Sequence, residues 1–285
     1  MNNPKVSVIV PVLNGEPYIA KSLGSIKRQT FKNIEIIVVD NFSQDKTIEI
    51  AKLYTDRVYM KGPERASQDN FGVEMSTGKY VFITGCDMVL DSTYIEQCVT
   101  ACEEGGNDAV YSSVKSLTKN FWSKVKGFER ELYVGDDNHE AARFFKREVF
   151  LDLGGYDSEM ILHADDYDMQ RKLNSKNYKT GRIDAYELHI DEIDSIKEIF
   201  FKSFYYGMNS ILYIKKYKKS ALIQLSPIRT AYFRKPKYVI KNIHLFLGLI
   251  AFKFVQYASA TLGLLCGLLG RNKLSKYVHN IIYKK

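Results

Sequence analysis

Three short apolar runs set the frame for this chain. KVSVIVP (residues 5–11), IEIIVV (34–39) and YVFIT (80–84) are rich in β-branched residues and carry little polar interruption. A strand with one wet face alternates polar and apolar residues, whereas one buried on both faces does not. Each run is followed by helical spacing of apolar residues: EPYIAKSLGSIKRQ after the first, residues 44–54 after the second and 92–103 after the third. Strands alternating with helices predict an α/β fold, a mostly parallel sheet flanked by helices on both faces. The runs lead to Pro11, to Asp40 and, past Thr84-Gly85-Cys86, to Asp87. Ligands of such sheets bind at the carboxyl ends of the strands, so these positions aim at one crevice.

The remaining pattern extends the same theme. Residues 57–60 and 108–114 read as strands and 65–76 as a helix. Residues 115–139 lack a period and contain the single tryptophan, Trp122, so a long loop is expected there. An apolar stretch around Phe144 and Phe145, a Gly154-Gly155 turn and the acidic HADDYD follow. A helix to about Ser175, two short strands at 178–183 and 185–190, and a helix over 194–218 complete the reading. The second short strand carries His189.

Charge divides the chain. Residues 199–285 hold 16 Lys and Arg and no Asp or Glu, which leaves 25 basic against 33 acidic residues before them. A basic segment on an acidic body fits a polyanionic surface. The four cysteines, Cys86, Cys98, Cys102 and Cys266, have neither metal nor redox spacing, and reduced thiols in a cytosolic setting are expected. The first apolar run ends in Pro and reads as a strand, not a leader.

Four blocks occur in order over residues 5–190: VSVIVPVLNGEPYI, IEIIVVDNFSQDKT, GKYVFITGCDMVL and GGYDSEMILHADDYDMQRKL. Together they resemble the family 2 glycosyltransferases with the GT-A, Rossmann-like fold. The resemblance implies inverting transfer of a sugar from a nucleotide-diphosphate donor. It places Pro11, Leu13, Asn14, Glu16 and Asp40 around the base and ribose. A carboxylate accepts hydrogen bonds from a ring N–H and a ribose hydroxyl, which suits Asp40. Capping of the next helix is the other reading of that acid.

Gly85-Cys86-Asp87 occupies the place of the family's DXD motif, with Gly85 where the first acid would stand. The resemblance puts Cys86 and Asp87 at the donor and a divalent cation, Mn²⁺ or Mg²⁺, on Asp87. A hard cation bridges a carboxylate and two phosphates while keeping waters. His189 is the implied second ligand, and an imidazole suits Mn²⁺ better than Mg²⁺. The alternatives are a helix cap for Asp87 and a plain strand-end histidine for His189. Arg65 is the implied phosphate contact, or else a solvated helix-start residue. The position that matches the family's arginine is Asp69, in QDNFG.

Asp165 and Asp166 resemble the family's acidic pair, whose second member is the general base. Crowded carboxylates raise at least one pKa among Asp165, Asp166 and Asp168. Gly154-Gly155 just before them reads as a turn where backbone can approach the donor sugar. A base is needed by a sugar hydroxyl and not by an already anionic phosphate, so Asp166 favours a hydroxyl on a lipid-linked or membrane-presented glycan as acceptor. Transfer to a polyprenyl phosphate is the alternative. Gly85 and Asp69 motivate another, an inactive scaffold. A nucleotidyltransferase would need a glycine-rich loop after the first strand, and PVLNGEP has one glycine.

Residues 243–270 are mostly apolar with one full charge, Lys253, and exceed the roughly 20 residues that cross a bilayer. Basic residues flank both ends: Arg234, Lys235, Lys237 and Lys241 before, Arg271, Lys273 and Lys276 after. A kinked or hairpin segment, broken at Gly248, Gly263, Gly267 or Gly270, would keep both clusters at the anionic cytoplasmic face of the cell membrane. A single spanning helix, a helical subdomain packed on the sheet and a dimer surface are the alternatives. No nucleic-acid module is visible. The expected organisation is a catalytic domain over 1–195 and a basic, apolar helical extension over 196–285.

Overall fold

The computed structural model describes residues 3–136, 140–158, 164–190, 195–224, 226 and 229–269. Its strands are β1 (Val6–Val12), β2 (Ile34–Asp40), β3 (Val58–Met60), β4 (Tyr80–Ile83), β5 (Met88–Leu90), β6 (Ala109–Ser116), β7 (Ala142–Lys146) and β8 (Thr180–His189). Its first six helices are α1 (Ile19–Lys27), α2 (Thr47–Lys52), α3 (Arg65–Glu74), α4 (Tyr94–Glu103), α5 (Phe121–Tyr133) and α6 (Arg147–Asp152). The others are α7 (Ala164–Ser175), α8 (Ile196–Asn209), α9 (Ile211–Gln224), α10 (Ala231–Arg234), α11 (Pro236–Lys241) and α12 (Ile243–Leu268). The chain gathers into two units. One comprises Met1–Val114, Glu140–Ser158 and Asp165–Asp191, the other Lys115–His139, Glu159–Ala164 and Glu192–Lys285.

The first unit is an α/β sandwich on one sheet of order β3-β2-β1-β4-β7-β6-β8-β5. β3, β2, β1 and β4 run parallel, while β4/β7, β6/β7 and β5/β8 pair antiparallel. The two-residue period of a strand explains the uninterrupted apolar runs. Val6, Val8, Val10 and Val12 of β1 join one core with Ile36, Val38, Tyr80 and Phe82. Ile9 joins the opposite core with Ile37, Val39, Val81 and Ile83. Residues of α1, α2 and α4 cover the first face, and residues of α3, α6 and α7 the second. Cys98 and Cys102 are buried in the first core, as their one-turn spacing suggests.

Three local expectations change. The two short strands expected at 178–183 and 185–190 are one, β8. A short strand, β5, follows Asp87 at once and pairs with β8. The expected loop over 115–139 contains α5, whose start carries a full capping box from Asn120 and Ser123. Its period was hidden because Trp122 and Phe121 flank a face that also holds Ser123, Lys126 and Glu129.

The second unit is helical. Val125, Phe128 and Leu132 of α5 form a core with Ile199 of α8 and Leu249 and Phe252 of α12. Trp122 packs beside that core. The expected kink in the apolar segment is also absent: α12 is one helix of 26 residues. Its glycines serve close packing instead. A Cβ at Gly263 would lie 2.0 Å from the Phe204 carbonyl oxygen, and one at Gly207 2.0 Å from that of Ala260. One at Gly248 would strike the Phe121 ring at 2.7 Å. Small residues let α8 and α12 approach backbone to backbone, the device by which apolar helices associate. Lys253 lies on the packed face, 9% exposed, with its Nζ 2.5 Å from Glu129 Oε1. Gly270, Arg271, Lys273 and Lys276 lie outside the described residues.

Candidate active site

The loops after β1 and β2 are stitched together. The Asn14 amide donates to Ser43 Oγ at 2.8 Å, and the Gln44 amide to Asn14 Oδ1 at 2.9 Å. The Glu16 amide donates to Asp45 Oδ2 at 3.0 Å, and the Lys46 amide to Glu16 Oε2 at 3.1 Å. Asp40 is fully buried and takes the Ser43 amide at 2.7 Å and the Ser43 hydroxyl at 2.5 Å. Each of its oxygens keeps one acceptor site beyond these bonds. Pro11 is buried, Leu13 and Asn14 are half-buried and Glu16 is exposed. Phe42 escaped the sequence reading. It sits in the left-handed region at φ 58°, 58% exposed, where a bulky residue is uncommon.

Asp87 sits in the tight turn between β4 and β5. The turn is pinned by β8: the Ile190 amide donates to the Asp87 carbonyl at 2.9 Å, and Met88 registers against His189. This register brings His189 Nε2 to 3.1 Å from Asp87 Oδ2. Burial works against ionising Asp87, but the hydrogen bond and charge of His189, with Arg65 nearby, outweigh it and hold the carboxyl at about 2. A Cβ at Gly85 would lie 2.4 Å from Asp87 Oδ1, so the missing motif acid leaves room for this carboxylate. Cys86 is half-buried and packs on the core side, its Sγ 3.2 Å from where a Cβ of Gly15 would be. Among the described residues no cluster of three or more metal-ligating side chains occurs. One carboxylate oxygen and one imidazole nitrogen therefore fit a divalent cation that draws its other ligands from phosphate and water.

A second group of charged candidate residues sits on α3 and α7. Arg65 opens α3, its Nε 3.5 Å from Asp69 Oδ2 one turn later. Asp165 and Asp166 lie in the first turn of α7. Burial and the Asp166 charge lift the Asp165 carboxyl to about 6, against the pull of Arg65. The Asp166 amide donates to Asp165 Oδ1 at 2.9 Å. Asp166 itself is half-buried, and its carboxylate has no hydrogen bond or ion pair among the described residues. Asp168 is different: it is buried against Lys172 Nζ at 2.9 Å, and Lys172 also donates to the Gly155 carbonyl at 2.8 Å. It holds the helix to the turn. Gly155 permits a close approach to Asn70, whose Oδ1 would be 2.5 Å from a Cβ there, while a Cβ at Gly154 would meet nothing within 4 Å. Arg65 lies in the electrostatic field of Asp165 and Asp166 and also acts on Asp87.

Two residues of this region lie outside every motif. Glu187 of β8 is fully buried and accepts from Thr84 Oγ1 at 2.8 Å, at the end of β4. Arg143 of β7 reaches it, Nη1 to Oε2, at 3.4 Å. The only sequence signal for Glu187 is a charge at an inward position of a strand.

Comparison with known proteins agrees with this architecture. Residues 7–154 match the profile described as glycosyl transferase family 2. A PGL/p-HBAD biosynthesis glycosyltransferase of Mycobacterium bovis is 29% identical over 178 residues, 58% of this chain and 68% of that protein. An uncharacterized glycosyltransferase of Rickettsia typhi is 42% identical over 81 residues, 27% of this chain and 26% of its own. Among solved structures, a mannosyltransferase from Pyrobaculum calidifontis in complex with GDP-Man and Mn²⁺ superposes with a TM-score of 0.62 at 17% identity. It covers 94% of this chain and 88% of the other. S. aureus TarS 1-349 in complex with UDP-GlcNAc gives 0.51 at 13% identity, covering 93% and 92%.

Proposed function

This chain belongs to glycosyl transferase family 2 and is a glycosyltransferase of GT-A type, and from that premise we propose that it moves a sugar, with inversion, from a nucleotide-diphosphate donor to a hydroxyl of a lipid-linked or membrane-presented glycan. What supports the reading is the strand register that brings His189 Nε2 to 3.1 Å from Asp87 Oδ2, together with Asp166 in the first turn of α7, whose carboxylate has no partner among the described residues.

Each residue then has a part. Asn14, Asp40 and Glu16, with Pro11 and Leu13, shape the stitched loops that receive the base and ribose, and Phe42 offers an exposed ring beside them. Asp87 and His189 would hold Mn²⁺ or Mg²⁺, and Cys86 backs their turn. When bound, the cation offsets charge on the departing nucleoside diphosphate. Asp166 takes the proton of the acceptor hydroxyl as that oxygen bonds to the anomeric carbon from the face opposite the diphosphate. The carbon–oxygen bond to the diphosphate breaks and its electron pair leaves with the nucleoside diphosphate.

The helical unit supports that presentation. Along α12, Ile243, Leu247, Ile250, Phe254, Leu262 and Leu265 are each at least half exposed, Phe254 to 76%. This helix is long and apolar enough to cross a bilayer. Its opposite face is occupied by α5 and α8, and its one lysine is paired with Glu129. We place it in the interface at the cytoplasmic face of the cell membrane, with Arg234, Lys235, Lys237 and Lys241 near anionic headgroups. The catalytic domain is assigned to 1–195 and the extension to 196–285.

The test is a thermal-shift screen of nucleoside diphosphates with and without Mn²⁺, followed by transfer assays on a lipid-linked glycan and on polyprenyl phosphate. Stabilisation by one nucleotide, enhanced by Mn²⁺ and lost in Asp87→Ala, is expected. Transfer to polyprenyl phosphate alone would overturn the hydroxyl acceptor. Silence with every nucleotide would leave a scaffold.

A further inference from the structure

Asn70 of α3 grips a stretch of main chain far from its own helix. Its Nδ2 donates to the Tyr156 carbonyl at 2.8 Å, and the Tyr156 amide donates to its Oδ1 at 2.9 Å, across 86 positions of sequence. A side-chain amide can satisfy the N–H and the C=O of one residue at once, as a neighbouring strand would. The main chain comes this close because Gly155 precedes Tyr156 at φ 66°, where a Cβ would collide with Asn70 Oδ1. Lys172 of α7 holds the same turn. Its Nζ donates to the Gly155 carbonyl at 2.8 Å and lies 2.9 Å from Asp168 Oδ2. The Tyr156 ring is buried edge-on against Phe150, 5.4 Å between centroids, so the turn is anchored to the core as well.

Both ends of this linkage are fixed. Two residues before Asn70, the buried Gln68 donates from Nε2 to the Val12 carbonyl at 3.1 Å and to the Val39 carbonyl at 2.5 Å. These carbonyls stand directly before Leu13 and Asp40, at the carboxyl ends of β1 and β2. Gly72 lets α3 press onto β1, since a Cβ there would lie 2.3 Å from Ile9 Cγ2. On α7, Asp165, Asp168 and Lys172 follow the spacing i, i+3 and i+7, which is one face of a helix. Asp165 and Asp168 are buried there, and Asp166 is half-buried beside them. The Asp166 carboxylate has no partner of its own among the described residues, so its place is set by where α7 sits. A continuous run of hydrogen bonds thus leads from two strand ends, through α3 and the turn, to the helix that carries Asp166.

We propose that Asn70 is a positioning residue for Asp166: it fixes the Gly155–Tyr156 main chain, Lys172 passes that constraint to α7, and Asp166 is thereby held where it meets the acceptor hydroxyl. This rests on the general-base role of Asp166 proposed above. A base works only within hydrogen-bond reach of the proton it takes. A displacement of about 1 Å, from a change remote from the chemistry, can cost on the order of 10²-fold in rate. Asn70 touches neither donor nor acceptor in this role, so its loss falls on turnover and not on nucleotide affinity.

The test measures release of nucleoside diphosphate by the full chain from UDP-glucose, UDP-N-acetylglucosamine, GDP-mannose and dTDP-glucose, in Mn²⁺ with octyl β-glucoside as acceptor. Asn70→Leu should lower kcat by about 10–100-fold and shift the Kd of the matching nucleoside diphosphate by less than about twofold. Asn70→Asp keeps the acceptor for the Tyr156 amide and should fall between the parent and Asn70→Leu. Exchange of the Tyr156 amide hydrogen should quicken in Asn70→Leu. In an Asp166→Asn background, Asn70→Leu should lower kcat by no more than about twofold further, because a residue that acts through Asp166 then has nothing to position. Should Asn70→Leu not fold, Asn70→Asp carries the same cycle. No turnover by the unmodified chain, or turnover that Asp166→Asn leaves unchanged, would overturn the base reading and this inference with it. Turnover that Asp166→Asn lowers and the Asn70 variants do not, losses that multiply across the cycle, or nucleotide affinity that falls along with kcat would overturn the positioning role alone.

Discussion

Asp69 is the residue whose chemistry the local sequence least suggests. Burial lifts its carboxyl to about 7, Arg65 opposing and Asp165 and Asp166 adding to the rise. A folded pKa above the ordinary carboxylate value means that the folded chain holds the proton more tightly than the unfolded chain. Its contribution to stability is therefore complete below about pH 4 and is lost as pH climbs towards 7. Asp69→Asn removes that loss. Its melting temperature should exceed the parent's at pH 8 and match it at pH 4, with a ceiling of about 4 kcal/mol at about 1.36 kcal/mol per pKa unit. Parallel curves across pH would refute the assignment. At the same scale, Asp166→Asn should cut transfer by roughly 10²–10⁴ while leaving nucleotide affinity intact, as read by turnover and calorimetry side by side. That Asp87 follows a strand and that Asp166 opens a helix was legible in the sequence, because both positions follow from local period. Arg143 and Glu187 were not, because a charge in a strand shows no partner until the strands are laid side by side.

Elements were legible where periodicity was clean. The three apolar runs, their helices and the buried Cys98–Cys102 turn follow from a period of two or of about 3.6 residues. Failures came where packing decided the outcome. The segment of α5 mixes aromatic and charged residues because its charged side, Lys126 and Glu129, is itself packed, with Glu129 in contact with Lys253 of α12. The glycines of α12 suggested breaks and proved to be contact points. Gly263→Leu should therefore destabilise the helical unit by at least about 1–3 kcal/mol, the usual cost of overpacking. Ala251→Leu, on the exposed face of the same helix, should be neutral. Chemical denaturation followed by the helical signal distinguishes them, and equal behaviour of the two would contradict the packing.

At the scale of the whole molecule, an acidic body and a basic, apolar tail call for a charged, oily surface. The chain should float with vesicles containing anionic lipid and remain behind with neutral ones. Added salt should release it, because surface attraction is worth about 1 kcal/mol per lysine and is screened. Reversing Lys235, Lys237 and Lys241 to Glu should abolish flotation without altering nucleotide affinity. Flotation that is indifferent to salt and lipid charge would point to a helix that spans the bilayer instead.

By itself, the order of residues determined which segments become buried strands, which acids stand at their ends and how charge divides along the chain. These follow from local period and composition, which act over a few residues. Tertiary structure supplied the contact of His189 with Asp87 that the resemblance only implied, and it alone decided that Glu187 takes hold of Arg143 and that Lys253 finds Glu129. Each of these pairs joins groups tens of residues or more apart in sequence. Their distances are set by strand register and helix packing, quantities that no short stretch of chain encodes.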